Sequence, residues 1–370
     1  MKKCIVDLGY INPLIPTGVS IFAIRLLRSL IDYSHAEKYS FLVSPLCSAY
    51  MKDLFPEVEL HDIKPTIKGS AFNNILTQKK NLKIIHDIYE EGGYECLFIP
   101  FLTLWNSIPK GVRTVSVVHD IQPFTLNTPL KNLIYERMFA RNLGMTNSII
   151  AISKYSESQL LNLFKTCQGK THVVYNSIEI CGKERIDNLL FNHPYILNVN
   201  AMENYKNQLV IVKAFDKIRN KIPHNLIFKA KRTIYWEKVI LPLVENMNLC
   251  DRIYLIEDNY NPKQMNWLYS NADIFVNTSL MEGFGFTPIE AAINGTAVLT
   301  TKCGALAETT LNLLNYIDNP FDDKEIANKI FFILKNPFPE KDRERITKAF
   351  NEKYSAQNQA RQYHQLLFSC

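Results

Sequence analysis

Ser279-Leu280-Met281-Glu282-Gly283-Phe284-Gly285-Phe286-Thr287-Pro288-Ile289-Glu290 is the stretch on which the reading of this chain turns. The apolar run 272–276 before it reads as a buried strand, and residues 288–293 after it as a short helix. Pro288 fits the first turn of that helix, where its missing N–H would have had no partner. A glycine-bearing turn running into a helix start aims backbone N–H groups outward beside the positive end of the helix dipole. Such a bend suits a phosphate or a polyhydroxylated ring. Glu282 stands on one side of it, and Glu290, expected inside the first helical turn, on the other. A carboxylate accepts two hydrogen bonds and so matches a vicinal diol. The plain alternative is a helix start whose acidic residues are favoured by the dipole, and spacing alone does not choose between the two.

Working outward, the same strand–loop–helix alternation repeats. Upstream, residues 176–193 are polar and irregular, as in a linker, and Pro194 precedes a strand at 195–199. Next comes Asn200-Ala201-Met202-Glu203-Asn204-Tyr205-Lys206-Asn207, with Asn207 placed to start a helix. The basic cluster Lys229, Lys231 and Arg232 follows another strand; its plain reading is an exposed loop. A strand at 252–256 leads into Glu257-Asp258-Asn259-Tyr260 and a helix at 262–270. Downstream lie a strand at 297–301, the loop 303–308, and helices at 323–334, 340–350 and 356–368.

In the first half, strands are predicted at 3–8, 40–43, 96–99, 114–118, 148–152 and 171–175, with helices at 19–31, 81–91, 131–143 and 155–164. Alternation of this kind gives parallel sheets covered on both faces. Thr17-Gly18 opens the first helix, either as a cap alone or as part of a ligand loop. Val115-Ser116-Val117-Val118 ends in His119-Asp120, where α/β folds place ligands, although such a pair also serves as a local loop anchor.

The segment from Glu282 to Glu290, with its following E-A-A-x-x-G-x-x-V, resembles the Glu-x7-Glu signature of family-4 retaining glycosyltransferases. The resemblance implies a GT-B fold: α/β, two Rossmann-like domains with parallel sheets facing a central cleft. It also implies roles. Glu282 contacts the donor sugar and Glu290 the ribose, while Gly283, Phe284, Gly285, Phe286 and Thr287 meet the sugar and diphosphate through their amides. Lys206 matches the lysine that faces the diphosphate. The family's Gly-Arg pair is replaced by Asn200-Ala201, so either Lys206 does more of the work or another cation substitutes, with Lys229, Lys231 and Arg232 as the candidates. Asn259 lies in the loop that runs beside the base. The T-G-x-S of Thr17-Gly18 resembles the loop facing the donor phosphates and acceptor. V-V-H-D-x-x-P is similar to a mannosyltransferase-like branch, with His119 reaching the donor sugar and Asp120 orienting it or meeting the acceptor. The expected domains are 1–180 for the acceptor, 194–345 for the nucleotide sugar, and 346–370 as a helix crossing back.

Composition agrees with an enzyme of two domains. The chain has 370 residues, 47% hydrophobic and 21% charged, with a formal charge of +6. No arginine-rich block or aromatic-basic interleaving argues for nucleic acid. Eight cysteines are scattered without zinc or disulfide spacing, which predicts reduced thiols in a cytoplasmic protein. Asp7 interrupts the first apolar run, which reads as a strand and not as a signal peptide. No D-x-D occurs, in keeping with a metal-independent site and no cofactor beyond a nucleoside-diphosphate sugar as co-substrate. The expected acceptor is a saccharide or a lipid-linked one, with peripheral contact to the inner membrane face through the N-terminal domain. A sugar-nucleotide epimerase of the same fold, a non-catalytic glycosyltransferase-like subunit and a nucleotide-binding regulatory module are the alternatives.

Overall fold

The computed structural model describes residues 2–14, 17–65, 71–119, 129–179, 181–187, 189, 191 and 194–368. Two compact units divide the chain: Met1–Ser177 with Ala356–Cys370, and Ile178–Ser355. The limits differ from those expected. Residues after Ser177 are already tied to the second unit, where Glu184 N donates to Lys263 O (3.1 Å) and Asn266 Nδ2 to Cys181 O (2.9 Å). The helix Glu340–Lys353 stays there too, packed on the helix Phe286–Ile293. Only the last helix, Ala356–Phe368, joins the first unit, where it lies on the helix Gly18–Ser34.

The first unit holds a seven-stranded parallel sheet made of β1 (Cys4–Asp7), β2 (Tyr39–Val43), β3 (Glu59–Asp62), β4 (Cys96–Ile99), β5 (Thr114–Val118), β6 (Ser148–Ala151) and β7 (Thr171–Val173). Its order is β3-β2-β1-β4-β5-β6-β7. Strands β1, β2, β4 and β5 are buried along their whole length, as near-continuous apolar runs must be when helices cover both faces. Strand β3, Glu-Leu-His-Asp, is an edge strand with no buried residue, so no apolar run announces it.

In the second unit, β8 (Tyr195–Val199), β9 (Asn225–Lys229), β10 (Ile253–Ile256), β11 (Ile274–Asn277), β12 (Ala297–Thr301) and β13 (Asn315–Ile317) form a parallel sheet in the order β10-β9-β8-β11-β12-β13. The helix Gln208–Ile218 turns Val210, Ile211, Ala214, Phe215 and Ile218 into its core. Each of the valine, isoleucine and phenylalanine side chains contributes about 1.5–3 kcal/mol of burial. The helix Pro262–Ser270 starts on a capping box. Asn261 Oδ1 accepts from Gln264 N (2.9 Å), and Gln264 Oε1 accepts from Asn261 N (3.0 Å).

Register fixes where loops can meet. Val199 pairs with Lys229, Lys229 with Ile256, and Asn277 with Thr300, so the carboxyl ends of these strands share one edge. Strand order reverses between β8 and β11 in the second sheet, and between β1 and β4 in the first. Open α/β sheets bind ligands at such reversals, because the loops on either side leave a crevice there.

Candidate functional site

At the β8/β11 reversal the loop after β8 meets the loop after β11. The first loop ends in a tight turn, Asn204–Lys206, followed by Asn207 in the left-handed region at φ 57°, which asparagine tolerates better than most residues. Asn207 Nδ2 donates to Pro320 O (2.7 Å). The hydroxyl of Thr278, one residue past β11, is shared between the carbonyls of Lys206 (3.1 Å) and Asn207 (2.9 Å). Leu280 N donates to Tyr205 O (2.9 Å). These bonds hold the two loops as one body. Within it Lys206 Nζ donates to Glu282 Oε1 at 2.6 Å, with the two side chains only 10% and 12% exposed. The ammonium also lies 5.0 Å from the centre of the Tyr205 ring. Two of the sequence candidates, 76 residues apart in the chain, are therefore an enclosed ion pair.

The bend after Glu282 depends on two glycines. Gly285 sits at φ 84°, where an added Cβ would come 2.5 Å from Leu306 Cδ2. Gly304, at φ 64°, lies flat on the Glu282 backbone, and its absent Cβ would fall against Glu282 O and 2.7 Å from Glu282 N. Ala305 N donates to Glu282 O (2.9 Å), and Thr309 Oγ1 to Phe284 O (2.6 Å). Neither threonine hydroxyl, at 278 or 309, was signalled by the sequence, since a serine or threonine in a loop is too common to single out.

The helix begins at Phe286, two residues earlier than expected, because Gly285 supplies the left-handed turn that caps it. Phe286 and Thr287 thus carry the leading amides, which have no intrahelical acceptor. Pro288 remains in the first turn. Glu290 becomes the fifth helical residue, and no acidic residue occupies the first turn, so the simple dipole explanation of this glutamate falls away. Instead, Glu290 Oε2 accepts from the buried Tyr269 hydroxyl at 2.9 Å. Tyr269 lies in the last turn of the helix Pro262–Ser270, and its role was not legible from sequence. Phe284 is 2% exposed and edge-on to Tyr354 (5.4 Å between ring centres). Its side chain anchors the bend in the core, which leaves only its backbone for a ligand.

The remaining candidates of this unit lie along the neighbouring strand ends. Asn200 Nδ2 donates to Asn277 Oδ1 (2.9 Å), and Gln208 Nε2 to Ala201 O (2.7 Å), so neutral amide contacts occupy the place expected for a Gly-Arg pair. Arg232 is bound by Glu257 Oε2 (3.0 Å) and Glu237 Oε1 (2.9 Å), which already balance its charge. Lys231 Nζ donates to Asn259 Oδ1 (2.8 Å) at the exposed surface. Lys229, half-buried at the end of β9, has no carboxylate within 4.0 Å among the described residues and lies 5.3 Å over the Tyr260 ring. Burial first, and Lys231 second, lower its pKa.

Gly18 and His119 belong to the first unit. Gly18 is exposed at the head of its helix, with Thr17 Oγ1 accepting from Ser20 N (3.3 Å), so the capping role is present. Half-buried His119 follows β5, packs edge-on against Phe22 of that helix (4.5 Å) and donates from Nε2 to Pro100 O (2.9 Å). Nδ1 is then the acceptor nitrogen of a neutral ring. Asp120 lies outside the described residues. Desolvation lowers the His119 pKa to about 4 from 6.5. The unfolded chain takes the proton first, so the stability this residue contributes is complete above about pH 6.5 and is lost as pH falls toward 4. The melting temperature of the wild type should accordingly fall more steeply across that interval than that of His119→Gln. Parallel slopes would contradict the assigned ionisation.

Among the described residues no helix is long and apolar enough to cross a membrane, and no group of three His, Cys, Asp or Glu side chains could hold a metal ion.

Residues 183–353, a little under half of the chain, match the family described as Glycosyl transferases group 1. The chain is 28% identical over 244 residues to the O-antigen chain mannosyltransferase RfbU of Salmonella typhimurium, covering 64% of this chain and 65% of that protein. It is 24% identical over 255 residues to the alpha-1,3/1,6-mannosyltransferase ALG2 of Dictyostelium discoideum, covering 58% and 60% respectively. These matches span less than two thirds of either relative. Among solved structures, sucrose-phosphate synthase from Thermosynechococcus elongatus superposes with a TM-score of 0.76 at 17% identity, over 99% of this chain and 98% of that one. Likeness at that identity speaks for the fold, two parallel-sheet α/β units of GT-B type.

Proposed function

We propose that this chain is a glycosyltransferase of the family-4, Glu-x7-Glu kind, which moves a hexose from a nucleoside-diphosphate sugar to a saccharide or lipid-linked oligosaccharide with retention of configuration. The observation that carries this reading is the enclosed Lys206–Glu282 pair at 2.6 Å, set beside the leading amides of the helix Phe286–Ile293 at a topological switch point. Mannose is the favoured sugar and GDP-mannose the favoured donor. The V-V-H-D-x-x-P stretch and the two mannosyltransferase relatives support that choice. The product would enter cell-surface polysaccharide, with the enzyme working in the cytoplasm or against the inner membrane face.

The chemistry follows from charge. As the anomeric carbon–phosphate bond breaks, negative charge grows on the diphosphate and positive charge on the sugar. Lys206 and the amides of Phe286 and Thr287 oppose the first, and Glu282, freed from its lysine, holds a sugar hydroxyl and favours the second. Such preformed groups need little reorganisation as charge develops. The acceptor hydroxyl forms the new carbon–oxygen bond from the leaving-group face, and its proton passes to the departing phosphate. Glu290 takes the ribose diol, aimed by Tyr269. Lys229 is the best-placed substitute for the missing arginine, being the one of the three candidate cations with neither a carboxylate nor an amide oxygen bound to it among the described residues.

Loss of the Gly-Arg pair favours one other reading, a non-catalytic subunit of the same fold. A panel of nucleotide sugars tested by thermal shift, followed by assay of sugar release or transfer with the best binder, separates them. Glu290→Ala is expected to weaken nucleotide binding by about 10–100-fold, the effect of losing charge-assisted hydrogen bonds. Calorimetry on the nucleoside diphosphate measures it, and unchanged affinity would remove the ribose assignment.

A further inference from the structure

The second sheet has another edge, opposite the donor bend. His224 precedes β9, Asp273 precedes β11, and Ala297 opens β12. At about 3.3 Å per residue, this amino edge lies roughly 13–16 Å from the strand ends that carry Lys229 and Asn277. We propose that Arg343 anchors a second ligand site here, and that the site takes a small hydroxylated carboxylate of the sugar-acid kind. The proposal does not depend on the transfer reading, since every residue in it lies away from the donor bend.

Half-buried Arg343 is the fourth residue of the helix Glu340–Lys353. It borders two adjoining spaces. One is a cavity of about 230 Å³, which Arg343 lines together with His224, Ser270, Asn271, Asp273 and Gly295. A single water needs only about 10–15 Å³. The other is an open groove of about 700 Å³ along the same helix, past Thr347 and Asn351. Ser270, Gly295 and Arg343 border both. Hydrogen bonds fix the surrounding walls. Asp273 Oδ2 accepts from Tyr195 N (3.2 Å), and Asn294 Nδ2 donates to Asn266 Oδ1 (3.1 Å) and Glu290 O (2.9 Å).

What singles out this edge is an arginine without a partner. Arg219, Arg232 and Arg345 each stand within 4.0 Å of a carboxylate, and Arg252 donates to the carbonyls of Ile222 and His224. The Arg343 side chain has neither an ion-pair nor a hydrogen-bond partner among the described residues, and its Nε is buried. A guanidinium drawn part-way out of water and left unbound costs free energy, which an oxyanion offsets through two parallel N–H···O bonds. Two further buried atoms are open as well: His224 Nδ1 on the cavity and Asn351 Oδ1 on the groove. The Asn351 oxygen can only accept, so it calls for a donor such as a hydroxyl. Arg343, Thr347 and Asn351 recur every fourth residue and share one face of the helix, about 6 Å apart per step. A ligand with its carboxylate on Arg343 reaches Thr347 and Asn351 with hydroxyls further along its chain.

Charge decides between carboxylate and phosphate. Asp273 lines the cavity, and Glu340, Glu344 and Glu352 line the groove, with Lys348 as the further cation there. A phosphate monoester brings a charge of about −1.5 to −2 among these carboxylates at neutral pH. A sugar acid brings a single negative charge, on a planar group that matches the guanidinium fork. Its hydroxyls can donate to the same carboxylates that would repel a phosphate.

The test is calorimetry on the full chain with gluconate and glucuronate, beside glucose and inorganic phosphate. The wild type should bind a sugar acid, with glucose at least about tenfold weaker because it has the hydroxyls and lacks the charge. Arg343→Gln should lower sugar-acid affinity by about 10–100-fold, the effect of losing a charge-assisted bidentate pair. Its melting temperature without ligand should be equal or higher, since an unbound buried group is gone. Arg343→Lys keeps the charge without the fork and should fall between the two. Saturating GDP or UDP should not displace the sugar acid. A wild type that binds neither sugar acid overturns the site, the result expected if water alone fills the cavity, and so does equal binding by Arg343→Gln. Equal binding of glucose removes the role of the charge, and a preference for inorganic phosphate overturns the carboxylate assignment. Displacement by GDP or UDP puts the sugar acid at the donor bend and overturns the second site, whereas a chain that binds sugar acid and no nucleotide counts against the transfer reading alone.

Discussion

Lys206→Ala is expected to lower turnover by about 10²–10³-fold, the effect of removing one preorganised group that stabilises charge in the transition state. The same change should destabilise the fold. Glu282 would lose the partner that stands 2.6 Å away in a nearly closed site, and breaking such pairs costs about 3–5 kcal/mol when burial is complete. The 10–12% exposure of these side chains puts the expected loss toward the lower end. The two effects can be pulled apart. Lys206→Met combined with Glu282→Gln removes both charges, so urea unfolding should recover most of the lost stability while transfer stays abolished. Lys206→Ala turning over near the wild-type rate would show that the diphosphate is held by other groups.

Gly304→Ala should be the most damaging single methyl group in the second unit. At φ 64° an L-residue carries about 1–2 kcal/mol of backbone strain. The added carbon would also press on Glu282 O and N, which are backbone atoms and cannot rotate away. Overpacking of that kind adds about 1–3 kcal/mol. The control is Gly295→Ala. That glycine sits at φ 86° with no atom within 4 Å of the added carbon, so it bears strain without overlap. The excess loss in Gly304→Ala, read from denaturant midpoints, isolates the overlap. Because the overlap moves Glu282 itself, donor binding should fall with stability in Gly304→Ala and stay intact in Gly295→Ala. Equal losses in the two variants would mean that the bend does not depend on this close approach.

Much of this arrangement was legible before any coordinates. Strands such as β4, β5, β8 and β12 are short apolar runs bounded by turn residues, and their limits in the structure match the predicted ones. Elements without such contrast went unseen: β3 and β13 are edge strands of four and three residues, and the helix Pro45–Leu54 is short with little buried surface. At the site, Glu282, Lys206 and the glycine bend were visible because a motif fixes residue type and spacing together. The start of the helix was misplaced by two residues, since Pro288 is tolerated anywhere in the first turn while the left-handed Gly285 sets the true boundary. Contacts between distant loops left no local trace. The hold of Thr278 on the turn at Lys206, the hydrogen bond from Tyr269 to Glu290 and the seat of Gly304 against Glu282 arise from parallel register, which brings together residues many positions apart.

One bend and one lysine are expected to hold the activated end of the donor. A crystal structure of the chain with the nucleotide sugar that gives the largest thermal shift tests it most directly. The expected result is a diphosphate within hydrogen-bond distance of Lys206 Nζ and the amides of Phe286 and Thr287, with the ribose diol on Glu290. A ligand bound elsewhere, with Lys206 still closed on Glu282, would contradict it.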